Sequence, residues 1–295
     1  MKRMLNLLII LLFLLSCPVF AATEPCDPCQ LSDGSQPQLT SAERGAEETA
    51  IAKKSQDPLG GLIMIPIQNN LNFNAGPQNN KGFFNLMVEP TFPININEDW
   101  KLLNHIVIPV NSVPTASGST DTGLGNVMLT TLVTKNSTSA FTFGAGAGLF
   151  TPTQSYANYT NTQTPTGMNA WAAGPAVVGV YKNGPFVGGV LLNQMWSFAG
   201  PAPINQLTIQ GFSSYNFDYG YSLSYMPLIN INWKAAPGQQ VLFPIGLNVG
   251  KVFLVDGKLP IGLSVGGYYN VIRPDNAPES QLRLQLFFVL PESMF

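Results

Sequence analysis

From about residue 59 to the C-terminus, hydrophobic and polar residues alternate along the chain. Between Tyr219 and Trp233, aromatic and aliphatic residues occupy one parity, and Ser, Asn and Gly occupy most of the other. A period of two is typical of β-strands with one apolar and one polar face. The pattern predicts twelve strands, at 61–74, 82–94, 100–110, 124–134, 140–150, 169–181, 186–198, 205–217, 219–233, 241–254, 259–272 and 281–290.

The connections between these segments alternate in length. In chain order, the even-numbered gaps are short turns and the odd-numbered gaps are longer, with the longest at 111–123 and 151–168. Short turns at one end and long loops at the other are typical of outer-membrane barrels. A sheet in lipid must also close on itself, because its backbone groups need internal partners. We therefore predict an all-β fold: a closed antiparallel transmembrane β-barrel of about 12 strands over 59–295, preceded by a short helix.

The chain begins with the features of a secretory signal peptide. Two basic residues precede the apolar run Leu5–Leu15, and small residues up to Ala21 suit a cleavage site. We predict a signal peptide at 1–21 and a periplasmic tail at 22–58. The residues before Cys17 also resemble a lipoprotein cleavage box, so a lipid anchor at Cys17 is an alternative.

The tail contains a cysteine pair and one helix. Cys26 and Cys29 are a candidate disulfide, because an exported chain enters an oxidising compartment. No βαβ pattern follows them as a redox motif requires, and no further metal ligands lie nearby. Thr40 and Glu43 match a capping box, which predicts a helix over 40–54. The helix is either a periplasmic spacer or a plug inside the barrel, and we expect the spacer.

Charge is scarce. Only 10% of the residues are charged and the net charge is −2, against about 25% charged residues in an average soluble domain. This excludes the basic surface that nucleic-acid binding requires. Residues 59–295 contain nine acidic and nine basic residues, which favours neutral solutes over ions. No cofactor is expected, since the glycines at 144, 146 and 148 precede no helix as a phosphate loop would.

The alternation assigns a set of polar residues to the lumen. Charged residues at membrane depth are costly against lipid, so Glu89 and Arg283 stand out. They form either a structural network, with Arg and Glu paired, or part of a specific solute site. The lumen and transport candidates are Glu89, Arg283, Asn70, Asn72, Asn230, Asn232, Asn270, Gln281 and Gln285.

No catalytic residue is expected. The chain has no Gly-x-Ser-x-Gly nucleophile elbow, and His105, its one histidine, is taken as a polar or interfacial residue. Two alternatives to a channel stay open. One is a barrel enzyme acting on lipid, which would need a Ser/His/acid cluster on the lipid-facing rim. The other is a structural barrel whose loops bind outside partners.

An ordered set of short segments resembles a known family. The set comprises Gln56-Asp57-Pro58-Leu59, Ile63–Asn70, Glu98-Asp99-Trp100, Ile106–Pro109, Gly123–Asn126, Ala173-Gly174-Pro175, Gln194–Gly200, Val249-Gly250-Lys251 and Tyr268–Val271. In this order they resemble the bacterial outer-membrane family named for the meta-pathway of phenol degradation, over residues 56–291. The resemblance implies a transporter barrel in the outer membrane, in contact with lipid and a small-molecule solute. Pattern and resemblance together predict a channel or transporter for small, neutral or aromatic solutes, with no signal for an oligomeric state.

Overall fold

The computed structural model describes residues 40–114, 120–137, 139–154, 168–256 and 259–290. The predicted signal peptide, Cys17, and the Cys26 and Cys29 pair lie outside these residues. The described chain contains one α-helix, a short 3-10 helix and fifteen strand segments in a single sheet.

The elements follow one another in chain order. The helix α1 spans Ser41–Ser55, and the 3-10 helix spans Asp218–Gly220. The strand segments are β1 (Ile63–Ala75), β2 (Lys81–Val88), β3 (Thr91–Asn95), β4 (Trp100–Pro114), β5 (Thr120–Leu124), β6 (Met128–Lys135), β7 (Phe141–Phe150), β8 (Trp171–Asn183), β9 (Phe186–Ala199), β10 (Asn205–Asn216), β11 (Tyr221–Tyr225), β12 (Leu228–Asn232), β13 (Val241–Val255), β14 (Leu259–Ile272) and β15 (Ser280–Leu290).

The sheet closes into a barrel. Each strand pairs antiparallel with its neighbours in sequence, and β15 pairs with β1 from Ile63 opposite Leu290 to Phe73 opposite Ser280. Three strands are interrupted, between β2 and β3, between β5 and β6, and between β11 and β12, so the fifteen segments make twelve strands. The predicted closed 12-stranded antiparallel barrel is confirmed.

Proline accompanies each interruption. Pro90 separates β2 from β3, Pro227 separates β11 from β12, and Pro109 faces the break at Gly125. Proline has no N–H to donate to the ladder, so regular pairing stops there. The proline carbonyls still accept bonds across the wall, from Ile106 N at 3.0 Å, from Gly211 N at 3.1 Å and from Gly125 N at 2.7 Å respectively. Regular strand pairing is therefore interrupted at these points while the wall remains hydrogen-bonded.

The two faces of the wall have opposite polarity. Large apolar side chains such as Phe143, Val249 and Val265 are exposed on the outside. The alternate positions carry buried amide and hydroxyl side chains that face the lumen, among them Asn70 and Thr130. A closed sheet with an apolar outer surface is the arrangement of transmembrane barrels. The chain is therefore an outer-membrane protein.

The described residues contain no helix whose length and apolar character would allow it to cross a membrane.

Several strand ends differ from the sequence prediction, most of all around the loop after β4. The expected loop 111–123 is shorter, because β4 continues to Pro114 and β5 begins at Thr120. The alternation of apolar and polar residues ends before the backbone pairing of the strands does, because a strand that has left the lipid no longer needs an apolar face. Tyr219 was expected to begin a strand, but it lies in the 3-10 helix with φ 59°, so the strand begins two residues later.

The helix α1 begins as the sequence predicts. Glu43 N donates to the Thr40 hydroxyl at 3.3 Å, and Thr40 N donates to the Glu43 carboxylate at 2.9 Å, which completes a capping box. The Thr40 hydroxyl donates to the same carboxylate, and the two bonds from Thr40 lower the pKa of Glu43.

The helix packs against the short-turn end of the barrel. The Thr49 hydroxyl accepts a bond from Gly220 N at 3.1 Å, in the turn before β11. The buried carboxylate of Glu48 accepts one from Leu254 N at 3.1 Å, near the end of β13. Short turns of outer-membrane barrels face the periplasm. The helix thus lies against the periplasmic turns, and the choice between a periplasmic spacer and a plug inside the barrel stays a prediction.

The register of β15 allows a test of the lipid-facing surface. Leu284 lies between Asn69 of β1 and Val265 of β14 on the outer face. We expect Leu284→Arg to lower the free energy of unfolding by about 2–4 kcal/mol if the site is near the midplane, because the charge meets hydrocarbon. Urea titration of the refolded barrel measures this loss. Gln285→Arg, on the lumen side, is the matched control, and an equal loss in both variants would contradict the assigned faces.

Candidate functional site: the barrel lumen

Arg283 joins three parts of the barrel wall. The residue is on β15 and only 7% exposed. Its Nε donates to the Asn70 Oδ1 on β1 at 3.2 Å, its Nη1 to the carbonyl of Met226 at 2.9 Å, and its Nη2 to the Gln281 Oε1 at 3.5 Å. Met226 lies in the break between β11 and β12. The guanidinium therefore connects β15 with β1 on one side and with the β11–β12 break on the other. All three of its acceptors are neutral.

Tyr268 supports the guanidinium from β14. The Arg283 Cζ lies 4.4 Å from the centre of the Tyr268 ring, which is a cation–π distance. The Tyr268 hydroxyl accepts bonds from Asn248 Nδ2 on β13 and, at 3.2 Å, from Met226 N. The same strand break is therefore held by both Arg283 and Tyr268.

A row of amides continues around the wall from Arg283. Asn70, Asn85 and Asn111 lie directly opposite one another on β1, β2 and β4. Asn70 Nδ2 donates to Asn85 Oδ1 at 3.4 Å, and Asn85 Nδ2 donates to Asn111 Oδ1. Gln68 Nε2 also donates to Asn70 Oδ1, at 3.2 Å. One connected polar network thus covers the lumen face of four strands.

Glu89 pairs with the histidine and not with Arg283. His105 Nε2 lies 3.6 Å from Glu89 Oε2, with both side chains mostly buried. His105 faces the lumen, between Thr91 and Thr130 on the neighbouring strands. In the part of the chain that the structure describes, no carboxylate lies within 4.0 Å of Arg283. The Arg–Glu pairing considered from sequence is therefore not formed.

The other sequence-predicted lumen residues lie in smaller groups. Asn72 Nδ2 donates to the Asn70 carbonyl at 3.2 Å. Asn270 is bonded separately, to the Pro278 carbonyl at 2.7 Å. Gln285 lies opposite Gln68 and shares the face of Arg283.

Asn230 and Asn232 belong to a different side of the barrel. Asn230 Oδ1 accepts bonds from Gln206 Nε2 and from the Thr208 hydroxyl, both at 3.1 Å. Asn232 Oδ1 accepts one from Lys234 N at 3.0 Å in the following turn. Neither residue contacts Arg283 through a hydrogen bond.

The chain segment before β1 enters the lumen at the short-turn end. The Asp57 carboxylate lies 2.7 Å from the Lys182 Nζ on β8. Leu59 is 5% exposed and packs among apolar side chains that point inward from β4, β6, β8 and β9. We call this set the apolar cup; it consists of Leu103, Leu132, Ala176, Val178, Val180 and Val187. The periplasmic mouth of the lumen is therefore occupied by the chain itself.

Sequence reasoning missed several members of this site. Tyr268 shares the parity of Gly266 and Asn270, so the alternation contained the signal that it faces the lumen. The sequence did not assign His105 to the lumen or to the lipid side, because its neighbours at the same parity, Leu103 and Val107, are apolar. Nothing in the sequence pairs Asp57 with Lys182, since 125 residues separate them. No group of three or more metal-ligating side chains occurs among the residues described.

Comparison with solved structures supports the fold. No protein-family profile and no curated protein sequence matches the chain. An outer-membrane channel from Pseudomonas putida F1 superposes with a TM-score of 0.54 at 15% identity, over 78% of this chain and 96% of that one. The KdgM porin gives 0.42 at 10% identity, over 78% and 100%. The outer membrane phospholipase A from Escherichia coli gives 0.40 at 11%, over 78% and 97%.

These likenesses show the fold alone. The chain has the fold of outer-membrane barrel channels, and its resemblance to the phenol meta-pathway family stays a prediction.

Gly266 allows a test of lumen packing. It lies between Asn248 and Arg283 in the register, and a Cβ at this position would lie 1.9 Å from Asn248 Oδ1. We expect Gly266→Ala to destabilise the barrel by about 1–3 kcal/mol, because overpacking displaces a buried amide. Gly267→Ala is the control, since nothing lies within 4 Å of its Cβ position. Urea unfolding compares the two, and equal midpoints would contradict the packing of Asn248 over Gly266.

Proposed function

We propose that the protein is an outer-membrane channel or transporter that passes small, neutral or aromatic solutes. The observation that carries this proposal is the lumen face itself, where buried amides and hydroxyls line much of the inside of the barrel, beside the apolar cup at its periplasmic mouth. Selectivity in such pores depends on the donors and acceptors that line them. Amides offer both, so they suit solutes that carry hydroxyl groups.

The charges of the lumen support neutral solutes. Glu89 has His105 within 3.6 Å, and Arg283 is bonded to neutral acceptors. Because Glu89 and Arg283 are of opposite charge, they give the lumen no strong preference for cations or for anions. The resemblance to the phenol meta-pathway family adds support for aromatic solutes.

Unpaired acceptors also support hydroxylated solutes. Among the described residues, the Oδ1 atoms of Asn193, Asn216 and Asn248 are buried without a hydrogen-bond partner. Buried polar atoms are usually paired, so each unpaired one needs an explanation. All three lie on lumen-facing positions of β9, β10 and β13. A solute hydroxyl entering the lumen would supply the missing donor.

The lipid-hydrolase alternative has less support. A hydrolase acting on lipid needs its base and nucleophile on the lipid-facing side. His105 faces the lumen, its acidic partner Glu89 is there as well, and its cross-strand neighbours are threonines. The described contacts of His105 include no serine.

Flux through reconstituted barrels tests the proposal. We expect liposomes containing the wild-type protein to swell in isotonic solutions of a small neutral sugar or of phenol faster than protein-free liposomes. Swelling with neither solute would contradict a channel. Lipid hydrolysis that disappears in His105→Ala would favour the enzyme instead, and thin-layer analysis of the same liposomes detects it.

Arg283 should control the rate of this flux. Arg283→Met removes the two bonds that connect β15 with β1 and with the β11–β12 break, and the bond to Gln281 on β15 itself. We expect the swelling rate with the neutral sugar to rise about two-fold or more, because the lumen loses a bulky cross-connection. Arg273→Met is the matched control, since Arg273 binds Asn79 and the Ala277 carbonyl in the long-loop region. Equal rates in wild type and Arg283→Met would show that the network only braces the wall.

A further inference from the structure

The periplasmic mouth places a cation beside an apolar surface. Lys182 is the last lumen-facing residue of β8, directly opposite Val187 of the apolar cup. Its side chain is 22% exposed, whereas the carboxylate that it binds, from Asp57, is 4% exposed. Asp57 is therefore the covered partner, and Lys182 is accessible from the end of the barrel.

Asp57 and Leu59 together imitate an amphiphilic ligand. The Asp57 carboxylate binds Lys182 through Oδ2 and accepts a bond from Leu59 N at 2.9 Å through Oδ1. Two residues further on, the Leu59 side chain fills the apolar cup. A carboxylate is thus attached to a compact apolar group, with each part held by complementary barrel residues.

The sheet does not need this segment. Helix α1 ends at Ser55 and β1 begins at Ile63, so Asp57 and Leu59 belong to a connector and pair with no strand. Gly61, with φ +74°, gives the connector a conformation that glycine adopts readily. Glu48 and Thr49 hold α1 separately, through Leu254 and the turn at Gly220. Displacement of the connector would therefore break no strand pairing and would leave the bonds of Glu48 and Thr49 in place.

We infer that Lys182 and the apolar cup form a binding site for small apolar carboxylates, which Asp57 and Leu59 occupy as an internal substitute. A carboxylate of this class competes with the connector, and its binding frees the mouth. The inference rests on the proposed channel function, since it names a ligand that acts at one end of the lumen through which neutral solutes would pass.

Electrostatics favours an anion as the replacement. The Asp57 carboxylate is buried and Lys182 is partly exposed, so the ion pair is intermediate between a buried pair and a surface pair. When Asp57 leaves, Lys182 loses its charged partner, and a carboxylate in the same place restores the ion pair. A neutral molecule of the same shape fills the cup but leaves Lys182 unpaired, so the site discriminates carboxylate from amide.

Benzoate and its neutral analogue benzamide are suitable probes for calorimetric titration of the full-length refolded barrel. We expect benzoate to bind Asp57→Asn/Leu59→Ala at least about ten-fold more tightly than wild type, because an internal competitor reduces the competent fraction. Benzamide should bind neither protein detectably. Equal benzoate affinity in the two proteins, or equal affinity for both probes, would overturn the inference.

Substitution of Lys182 tests whether its ammonium group binds the carboxylate of benzoate. In the Asp57→Asn/Leu59→Ala background, Lys182→Met should weaken benzoate binding at least about ten-fold. Lys251→Met is the matched control and should bind as the background does, because Lys251 lies over the Tyr221 ring on the outer face. Unchanged binding in Lys182→Met would overturn the inference. Heat-dependent mobility on detergent gels verifies folding, and Asp57→Asn alone replaces the double change if that variant does not fold.

Two further measurements separate this inference from the channel proposal. Benzoate should increase the rate of trypsin cleavage at Lys53 and Lys54 in the wild type, because displacement of the connector loosens the adjoining helix end; an unchanged rate would contradict displacement. Binding and cleavage without solute flux would refute the channel and leave the site standing. Flux without benzoate binding would refute the site and leave the channel standing.

Discussion

Backbone hydrogen bonding in lipid constrains this fold more strongly than any side-chain contact. Hydrocarbon offers no partner to an unpaired N–H or C=O group, so the sheet has to close. The β1–β15 pairing, from Ile63 to Phe73, provides that closure. The proline breaks obey the same constraint, because their carbonyls still accept bonds from the neighbouring strand. Interruptions of a strand are therefore tolerated where an open edge would not be.

Closure creates a second problem, which is how to fill a narrow lumen with polar side chains. Each strand turns one face inward, and an unpaired buried polar atom costs about 1–3 kcal/mol. The chain meets this cost by connecting amides in a row from Asn111 to Asn70 and by attaching Arg283 to its end. Glycine at 266 provides the space for the Asn248 side chain beside this row.

The mouth combines the same two kinds of interaction on a smaller scale. Leu59 is buried among aliphatic side chains, and the Asp57–Lys182 pair lies beside it. Burial of one leucine contributes about 1.5–3 kcal/mol, and an ion pair with a partly exposed lysine contributes modestly. Together they can hold a connector in place without making its release impossible. The proposed channel function requires this intermediate strength, because the connector occupies the periplasmic mouth.

The sequence by itself determined the barrel, the number of strands and the face of most residues. A period of two with alternating gap lengths leaves few other folds, because a one-residue slip would turn every apolar side chain into the lumen. The capping box at Thr40 likewise specified where the helix begins, since its signal is local. The tertiary structure alone decided which groups meet: Glu89 with His105, Arg283 with the carbonyl of Met226, and Asp57 with Lys182. These pairs join residues far apart in the chain, and their distances depend on register, curvature and strand breaks that no local pattern encodes.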